Sequence, residues 1–115
     1  MSIILRTNNS LPLEVVESLT DLGKRIKTAR IRRQLGQEEL ALACNIARRT
    51  LFSIEAGAPG VAIGQIHTVL WRLGLIGTTR GVADPDADEH GKILEAARLS
   101  KRVRRPQAKP DDNDF

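Results

Sequence analysis

Cysteine, histidine and aromatic residues are scarce in this sequence. Its 115 residues include one cysteine, two histidines, one tryptophan and two phenylalanines, and tyrosine is absent. A single cysteine cannot form an internal disulfide, so the chain does not require an oxidising compartment. Cys44, His67 and His90 are the only nitrogen or sulfur ligands, and Cys44 falls on an inward helical position. We therefore expect neither a metal site nor another cofactor.

Long apolar runs and catalytic motifs are also missing. No apolar segment approaches the roughly 20 residues needed to span a bilayer, and no N-terminal stretch combines a cationic segment with an apolar one as a secretory signal does. The segment from Gly57 to Gly64 is rich in glycine but lacks the Gly-Lys-Ser/Thr ending of a phosphate-binding loop. The sequence suggests no general base that could activate Ser53 as a nucleophile. We expect a cytoplasmic protein that has no membrane partner and is not an enzyme.

The residues that are abundant favour helices. Leucine, isoleucine, alanine and arginine dominate the composition, and apolar residues recur at intervals of three and four. The predicted helices run from about Leu11 to Arg33, Gln37 to Cys44, Ala47 to Ala56, Ile63 to Gly74 and Pro85 to Leu99. An all-α fold is therefore expected. Residues 1–10 fit a short strand or a loose arm, and residues 75–83 fit a short helix or a strand, with helix favoured at their start.

Signals at the helix ends support these limits. Ser10 is expected to cap the first helix, which Gly23 could divide in two. Asp84 and Pro85 form a cap and a first helical position for the last helix. Asn45 enters the left-handed conformation at low cost, so the chain can reverse sharply there. Two short helices joined by a tight turn form the helix-turn-helix pattern.

Positive charge is concentrated around this helix pair. The net charge is +4, and residues 22–53 contain two anions, Glu38 and Glu39, against eight cations. These cations are Lys24, Arg25, Lys27, Arg30, Arg32, Arg33, Arg48 and Arg49. Such a distribution indicates a polyanionic partner. The alternative is a basic, solvated helix face with no ligand.

Residues 22–57 closely resemble the Xre and phage-repressor family of helix-turn-helix proteins, and the likeness extends to Gly74. The resemblance rests on three segments, Leu-Gly-Lys-Arg-Ile-Lys-Thr-Ala-Arg, Gln-Glu-Glu-Leu-Ala and Arg-Arg-Thr-Leu-Phe-Ser-Ile-Glu-Ala-Gly. The resemblance implies a lambda-repressor-like five-helix DNA-binding domain. It also implies a partly buried ion pair between Arg30 and Glu55.

The same resemblance implies a DNA-contacting set of residues. Gln37 would meet a phosphate at the start of the second helix. The third helix would enter the major groove and present Arg48, Arg49, Thr50 and Ser53 to bases and flanking phosphates. Arginine at these positions favours guanine, although either arginine could contact phosphates alone.

Three residues depart from the family pattern. Gly36 replaces a hydroxyl or amide cap, so the second helix is expected to begin weakly. Asn45 stands where the turn usually has glycine. Ala47 replaces a hydroxyl residue, so the third helix should lack a side-chain cap. The loop from Ala58 to Ala62 has no lysine or arginine, and we expect no minor-groove contact from it.

The domain organisation follows from these assignments. We expect an extension at 1–18, a DNA-binding domain at 19–76, a dimerisation or partner-binding extension at 77–99 and a disordered tail, first basic and then acidic, at 100–115. One helix-turn-helix reads few base pairs, so a homodimer is expected. Its candidate dimer or partner contacts are Trp71, Leu75, Ile76 and Phe115. Ordinary core packing of Trp71 and a terminal Phe115 without a role are the alternatives.

The length and the late basic segment, residues 96–105, resemble HipB-type antitoxins. That resemblance implies a dimer that represses its own operon and binds a HipA-type kinase toxin. A stand-alone regulator and a protein-binding adaptor are the alternatives. Steep salt dependence of binding to a specific operator would separate the regulators from the adaptor.

Overall fold

The computed structural model describes residues 10–104 and assigns all their regular structure to helices. The α-helices are α1 (Leu13–Arg32), α2 (Gln37–Ala43), α3 (Arg48–Glu55), α4 (Ile63–Arg72) and α5 (Glu89–Arg104). Two short 3-10 helices span Ile76–Gly81 and Pro85–Ala87. The expected all-α class is confirmed for the described residues. The 3-10 helix Ile76–Gly81 agrees with the helix predicted at the start of residues 75–83. Residues 1–9 and 105–115, including Phe115, lie outside the described part.

The chain divides into two compact units between Thr79 and Arg80. We call the described part of the first, residues 10–79 with α1 to α4, the four-helix unit, and the described part of the second, residues 80–104, the C-terminal unit. In the four-helix unit, α3 packs against both α1 and α2, and α2 also contacts α4. No described helix has the length and apolar character needed to cross a membrane.

One buried cluster of side chains holds the four-helix unit together. Its members are Ile26, Ala29, Leu40, Ala41, Cys44, Leu51, Ile54, Val69, Leu70 and Leu73. Leu51 and Ile54 of α3 and Leu40 and Ala41 of α2 are buried, and the predicted inward position of Cys44 is confirmed. Ile63 departs from the periodicity, because it is the first residue of α4 and is 71% exposed. Val69, which the periodicity did not single out, is fully buried.

Each of α1 to α4 ends in the same reversal of the chain. The residue after the helix cap takes a positive φ, and its N–H and that of the following residue donate to carbonyls of the last turn, as in a Schellman motif. At these four helix ends the residues with positive φ are Gln34, Asn45, Gly57 and Gly74. After α2, the Asn45 N–H donates to the Leu42 carbonyl at 3.1 Å and the Ile46 N–H to the Ala41 carbonyl at 3.0 Å. The predicted sharp turn at Asn45 is confirmed.

The start of the first helix differs from the prediction. The residue at the cap position is Pro12, which makes no side-chain cap hydrogen bond, and α1 begins at Leu13. Pro12, and not Ser10 as predicted, therefore occupies the cap position, and the predicted domain boundary after residue 18 falls inside α1. The helix also continues through Gly23 without a break. A Cβ atom on Gly23 would lie 2.5 Å from the Glu55 carbonyl oxygen, so this glycine permits close contact between α1 and the end of α3.

The C-terminal unit contains two successive helix caps. The Asp84 carboxylate accepts from the Asp86 N–H at 3.0 Å, and Pro85 follows at the first helical position, as predicted. This cap opens only the 3-10 helix Pro85–Ala87, whereas α5 begins at Glu89. Asp88 provides the second cap by accepting from the Gly91 N–H at 2.9 Å. The single helix predicted from Pro85 is therefore two helices, because Asp88 ends one and begins the next.

The end of α5 also lies beyond its predicted limit. The helix extends past Leu99 to Arg104, so residues 100–104 are helical where a disordered tail was expected. Lysine and arginine are good helix formers, and the first proline after Leu99 in the sequence is Pro106. The rest of the predicted tail lies outside the described residues.

Candidate nucleic-acid interface

A buried ion pair fixes the end of α3 against α1. Arg30 Nε donates to Glu55 Oε2 at 2.6 Å, and Arg30 Nη2 donates to Glu55 Oε1 at 3.0 Å. The two side chains are 9% and 4% exposed. Two parallel charge-assisted hydrogen bonds restrict orientation as well as distance. The pair that the family resemblance implied is therefore present.

Two more groups complete this polar cluster. Arg30 Nη1 donates to the Leu35 carbonyl at 2.8 Å, which ties the loop after α1 to the pair. Gln37 Nε2 donates to Glu55 Oε1 at 3.0 Å. The hydrogen bonds to Glu55 raise the pKa of the Arg30 guanidinium above its ordinary value, although burial acts in the opposite direction. Arg30 therefore stays charged inside the unit.

Gln37 has a structural partner that the sequence did not predict. Its half-buried side chain links the first residue of α2 to the last residue of α3. A primary amide has a second hydrogen and a carbonyl oxygen for a further ligand. Its predicted contact with a phosphate would therefore be made by a side chain already held in place by Glu55.

The second helix begins with a partial cap. The Gly36 N–H donates to Glu39 Oε1 at 3.3 Å. Because glycine has no side chain to return the bond, only one half of a capping box forms. Gly36 therefore lacks the side-chain hydrogen bond that a hydroxyl residue could donate or accept at this position, and the expected weak start of α2 stays a prediction.

The outward face of α3 carries its cations. Arg48 and Arg49 are exposed, whereas Thr50 and Ser53 are half-buried. Glu55 is the only acidic residue of α3, and its charge is paired internally with Arg30. The exposed surface of this helix is therefore cationic. Ala47, at the cap position, makes no side-chain hydrogen bond, as expected.

Phe52 lies with these arginines and was missed by the sequence analysis. Its side chain is 61% exposed. Together with Gln37, Arg48 and Arg49 it lines a shallow surface depression. The signal was present in the spacing, because Phe52 follows Arg48 by four residues and Arg49 by three, which places all three on one helix face.

The residues expected to form a dimer contact are placed differently from one another. Trp71 is 58% exposed, so ordinary core packing does not account for it. Leu75 and Ile76 are half-buried and pack against the core cluster of the four-helix unit. Much of their apolar surface is therefore used within the chain. In the C-terminal unit, Ile93 and Leu94 are 65% and 57% exposed.

Cys44 and the metal-binding residue types provide no further site. Burial raises the pKa of the Cys44 thiol, and the positive charge of Arg72 lowers it by a smaller amount. A buried, protonated thiol is a poor nucleophile and a poor ligand. Among the described residues, no group of three or more His, Cys, Asp or Glu side chains is arranged to hold a metal ion.

Comparison of this chain with protein-family models, with curated proteins and with solved structures gives no match. The site must therefore be interpreted from its own geometry. That geometry consists of two short helices joined by a Schellman turn, a buried ion pair that orients the second helix, and an outward face with two exposed arginines and one exposed aromatic side chain.

Proposed function

We propose that this protein is a sequence-specific DNA-binding repressor that uses α2 and α3 as a lambda-repressor-like helix-turn-helix. The observation that carries the proposal is the exposed face of α3, which presents Arg48 and Arg49 while the only carboxylate of that helix is paired with Arg30. A cationic helix of this kind suits the major groove, which is about 12 Å wide and admits an α-helix.

The chemistry of the two arginines supports base reading. A guanidinium can donate two parallel hydrogen bonds to O6 and N7 of guanine. Thr50 and Ser53, which are half-buried on the same helix, supply hydroxyl groups for nearby phosphates or base edges. Gln37 adds an amide at the start of α2, where a phosphate would pass.

The buried polar cluster also supports the proposal, because it holds the two helices of the helix-turn-helix rigidly. Direct readout requires side chains that start from a fixed backbone, because a displaced helix loses its hydrogen-bond geometry. The cluster of Arg30, Glu55 and Gln37 joins α1, α2 and α3 through three hydrogen bonds between side chains. These bonds set the direction of α3 relative to α2, and thereby the position of Arg48 and Arg49.

Specific operator binding would need two copies of the chain. One helix-turn-helix contacts only a few base pairs, so half-sites about one helical turn apart are expected for a homodimer. Trp71, at the C-terminal end of α4, offers a large exposed apolar side chain in the four-helix unit for that contact. Its replacement by alanine should lower the dimer fraction in light scattering without unfolding the unit.

The test of the proposal is selection from random duplex DNA followed by titration. The full chain should enrich one sequence, and its affinity should fall steeply as salt rises. Arg48→Ala or Arg49→Ala should weaken binding by about 1 to 3 kcal/mol and relax preference at one base pair. Arg98→Ala removes the same charge from α5 and serves as the control that should keep the base preference.

Two results would contradict the proposal. Failure to enrich any sequence would leave a protein-binding adaptor as the better account of the four-helix unit. Wild-type affinity and base preference in both arginine variants would remove α3 from the groove.

An autoregulatory antitoxin role stays a prediction of the resemblance to HipB-type proteins. It requires a HipA-type kinase encoded beside this gene. Co-expression of the two should give a complex that binds the enriched DNA, whereas absence of such a kinase gene would favour a stand-alone regulator.

A further inference from the structure

Phe52 is an apolar side chain in the middle of a cationic surface. It is 61% exposed, so burial in the core of the four-helix unit does not explain it. Exposed apolar residues are common on proteins when they occur singly. Phe52 differs because it lines one depression with Gln37, Arg48 and Arg49, three residues that the proposed function assigns to DNA.

The position of Phe52 on α3 follows from helix geometry. Each residue of an α-helix turns by about 100°, so Phe52 lies about 40° around the axis from Arg48 and about 60° from Arg49, between the two. The buried core residues Leu51 and Ile54 lie about 100° and 160° around the axis from Phe52, outside this sector. Any surface that receives both arginines must therefore also cover the phenyl ring.

The positive charge of the two arginines favours DNA over a protein as the partner surface that covers Phe52. A protein partner that covered Phe52 would also cover Arg48 and Arg49 and would have to provide anions for both, since a buried, unpaired cation is strongly unfavourable. In the major groove, the arginines can bond to guanine or phosphate while the ring meets an apolar group. The only apolar group on the floor of that groove is the C5-methyl group of thymine.

We infer that Phe52 is a specificity-determining residue that contacts the C5-methyl group of a thymine one or two base steps from the guanine read by Arg48 or Arg49. This inference rests on the proposed function. Phe52 lies about 4.5 to 6 Å along the helix axis from the two arginines, and successive bases lie about 3.4 Å apart. The thymine is therefore placed within one or two base steps of the guanine.

The experiment uses the full chain and the duplex enriched by selection. Each thymine within two steps of an enriched guanine is replaced, one at a time, by deoxyuridine, which lacks only the methyl group. One replacement should weaken wild-type binding by roughly fourfold, the effect of removing one buried methyl group from an apolar contact. In Phe52→Ala the two duplexes should bind equally, because the partner of the methyl group is gone.

Two variants serve as controls. Phe52→Leu keeps an apolar side chain and should retain most of the preference for thymine. Leu42→Ala removes another exposed apolar side chain, 80% exposed in α2, and should retain the preference in full. Since Phe52 is exposed, Phe52→Ala should melt within about 2 °C of the wild type.

The outcomes separate this inference from the proposed function. If an operator is enriched but the wild type binds the thymine and deoxyuridine duplexes with equal affinity, the methyl contact is refuted and the repressor proposal stands. The same conclusion follows if Phe52→Ala still prefers the thymine duplex to the deoxyuridine duplex. If Phe52→Ala instead abolishes dimerisation, the ring belongs to a protein interface and the inference is also wrong. If no DNA sequence is enriched, the proposed function fails first, and this inference fails with it.

Discussion

Replacing Glu55 by alanine would leave the Arg30 guanidinium inside the four-helix unit without its anion. Three donors lose their acceptor at once, namely Nε and Nη2 of Arg30 and Nε2 of Gln37. The side chains of the pair are only 9% and 4% exposed, so water cannot readily replace the carboxylate. The expected result is a large loss of folding stability.

The size of the stability loss in Glu55→Ala depends on how deeply the ion pair of Arg30 and Glu55 is buried. Removing one partner of a buried ion pair costs about 3 to 5 kcal/mol. A unit of about 70 residues has a total stability of roughly 4 to 10 kcal/mol, so the variant should lose between about a third of its stability and all of it. At about 4 to 8 °C per kcal/mol for a unit of this size, the melting temperature should fall by about 12 °C or more.

Circular dichroism at the helix band, with urea and thermal unfolding, measures this loss directly. Arg30→Met combined with Glu55→Met removes both charges and should recover much of the stability, because an apolar pair of similar volume carries no desolvation penalty. Arg30→Met alone would strand the carboxylate and should be as harmful as Glu55→Ala. A melting temperature within about 3 °C of the wild type in Glu55→Ala would refute the reasoning.

Three further perturbations test the packing, the turns and the buried thiol. Gly23→Ala should lower the free energy of unfolding in urea by about 1 to 3 kcal/mol, because its methyl group would meet the backbone of α3. The control Gly64→Ala places a methyl group in open space on α4 and should raise the free energy of unfolding by about 0.5 to 1 kcal/mol. Equal effects of the two substitutions would contradict the close packing at Gly23. Gln34→Gly should stabilise by up to about 1 kcal/mol because Gln34 has a φ of 58°, and a lower urea midpoint would contradict this. Burial raises the pKa of Cys44, so the wild type should lose stability faster than Cys44→Ala as pH rises above about 8.5; parallel pH profiles would exclude this linkage.

Proton binding by the Cys44 thiol decides the direction in which stability changes with pH. A raised pKa means that the native state holds the thiol proton more tightly than the unfolded chain does. The contribution to stability is therefore complete below the ordinary thiol pKa and is lost as pH rises through the higher native value. Cys44→Ala removes this titration and is the matched reference for the alkaline limb of the profile.

Local sequence signals determined the helices and most of their ends. Apolar spacing located α2, α3 and α4 to within one or two residues, because a 3.6-residue period is a property of neighbouring residues. The turn at Asn45 and the stop at Gly57 could be predicted for the same reason, since a residue that tolerates positive φ identifies itself by type. The Asp84 cap also depends only on residues beside it.

Contacts between distant residues decided the rest. Gly23 looked like a possible helix break, yet α1 is continuous there, and the glycine instead leaves room for the backbone of α3. Leu75 and Ile76 looked available for a second copy, but they pack on the core of their own chain. Exposure depends on which distant surface covers a residue, and a single helix pattern does not contain that information.

The proposed DNA-binding face shows the same division. Residue type and position selected Arg48 and Arg49 from the sequence, because charge and the resemblance to a known family are properties of the chain itself. The bond from Gln37 to Glu55 and the exposure of Phe52 required the packed structure. The hydrogen bond joins side chains 18 residues apart in the sequence. The ring stays exposed because α3 packs against α1 and α2 with Leu51 and Ile54 buried instead of Phe52.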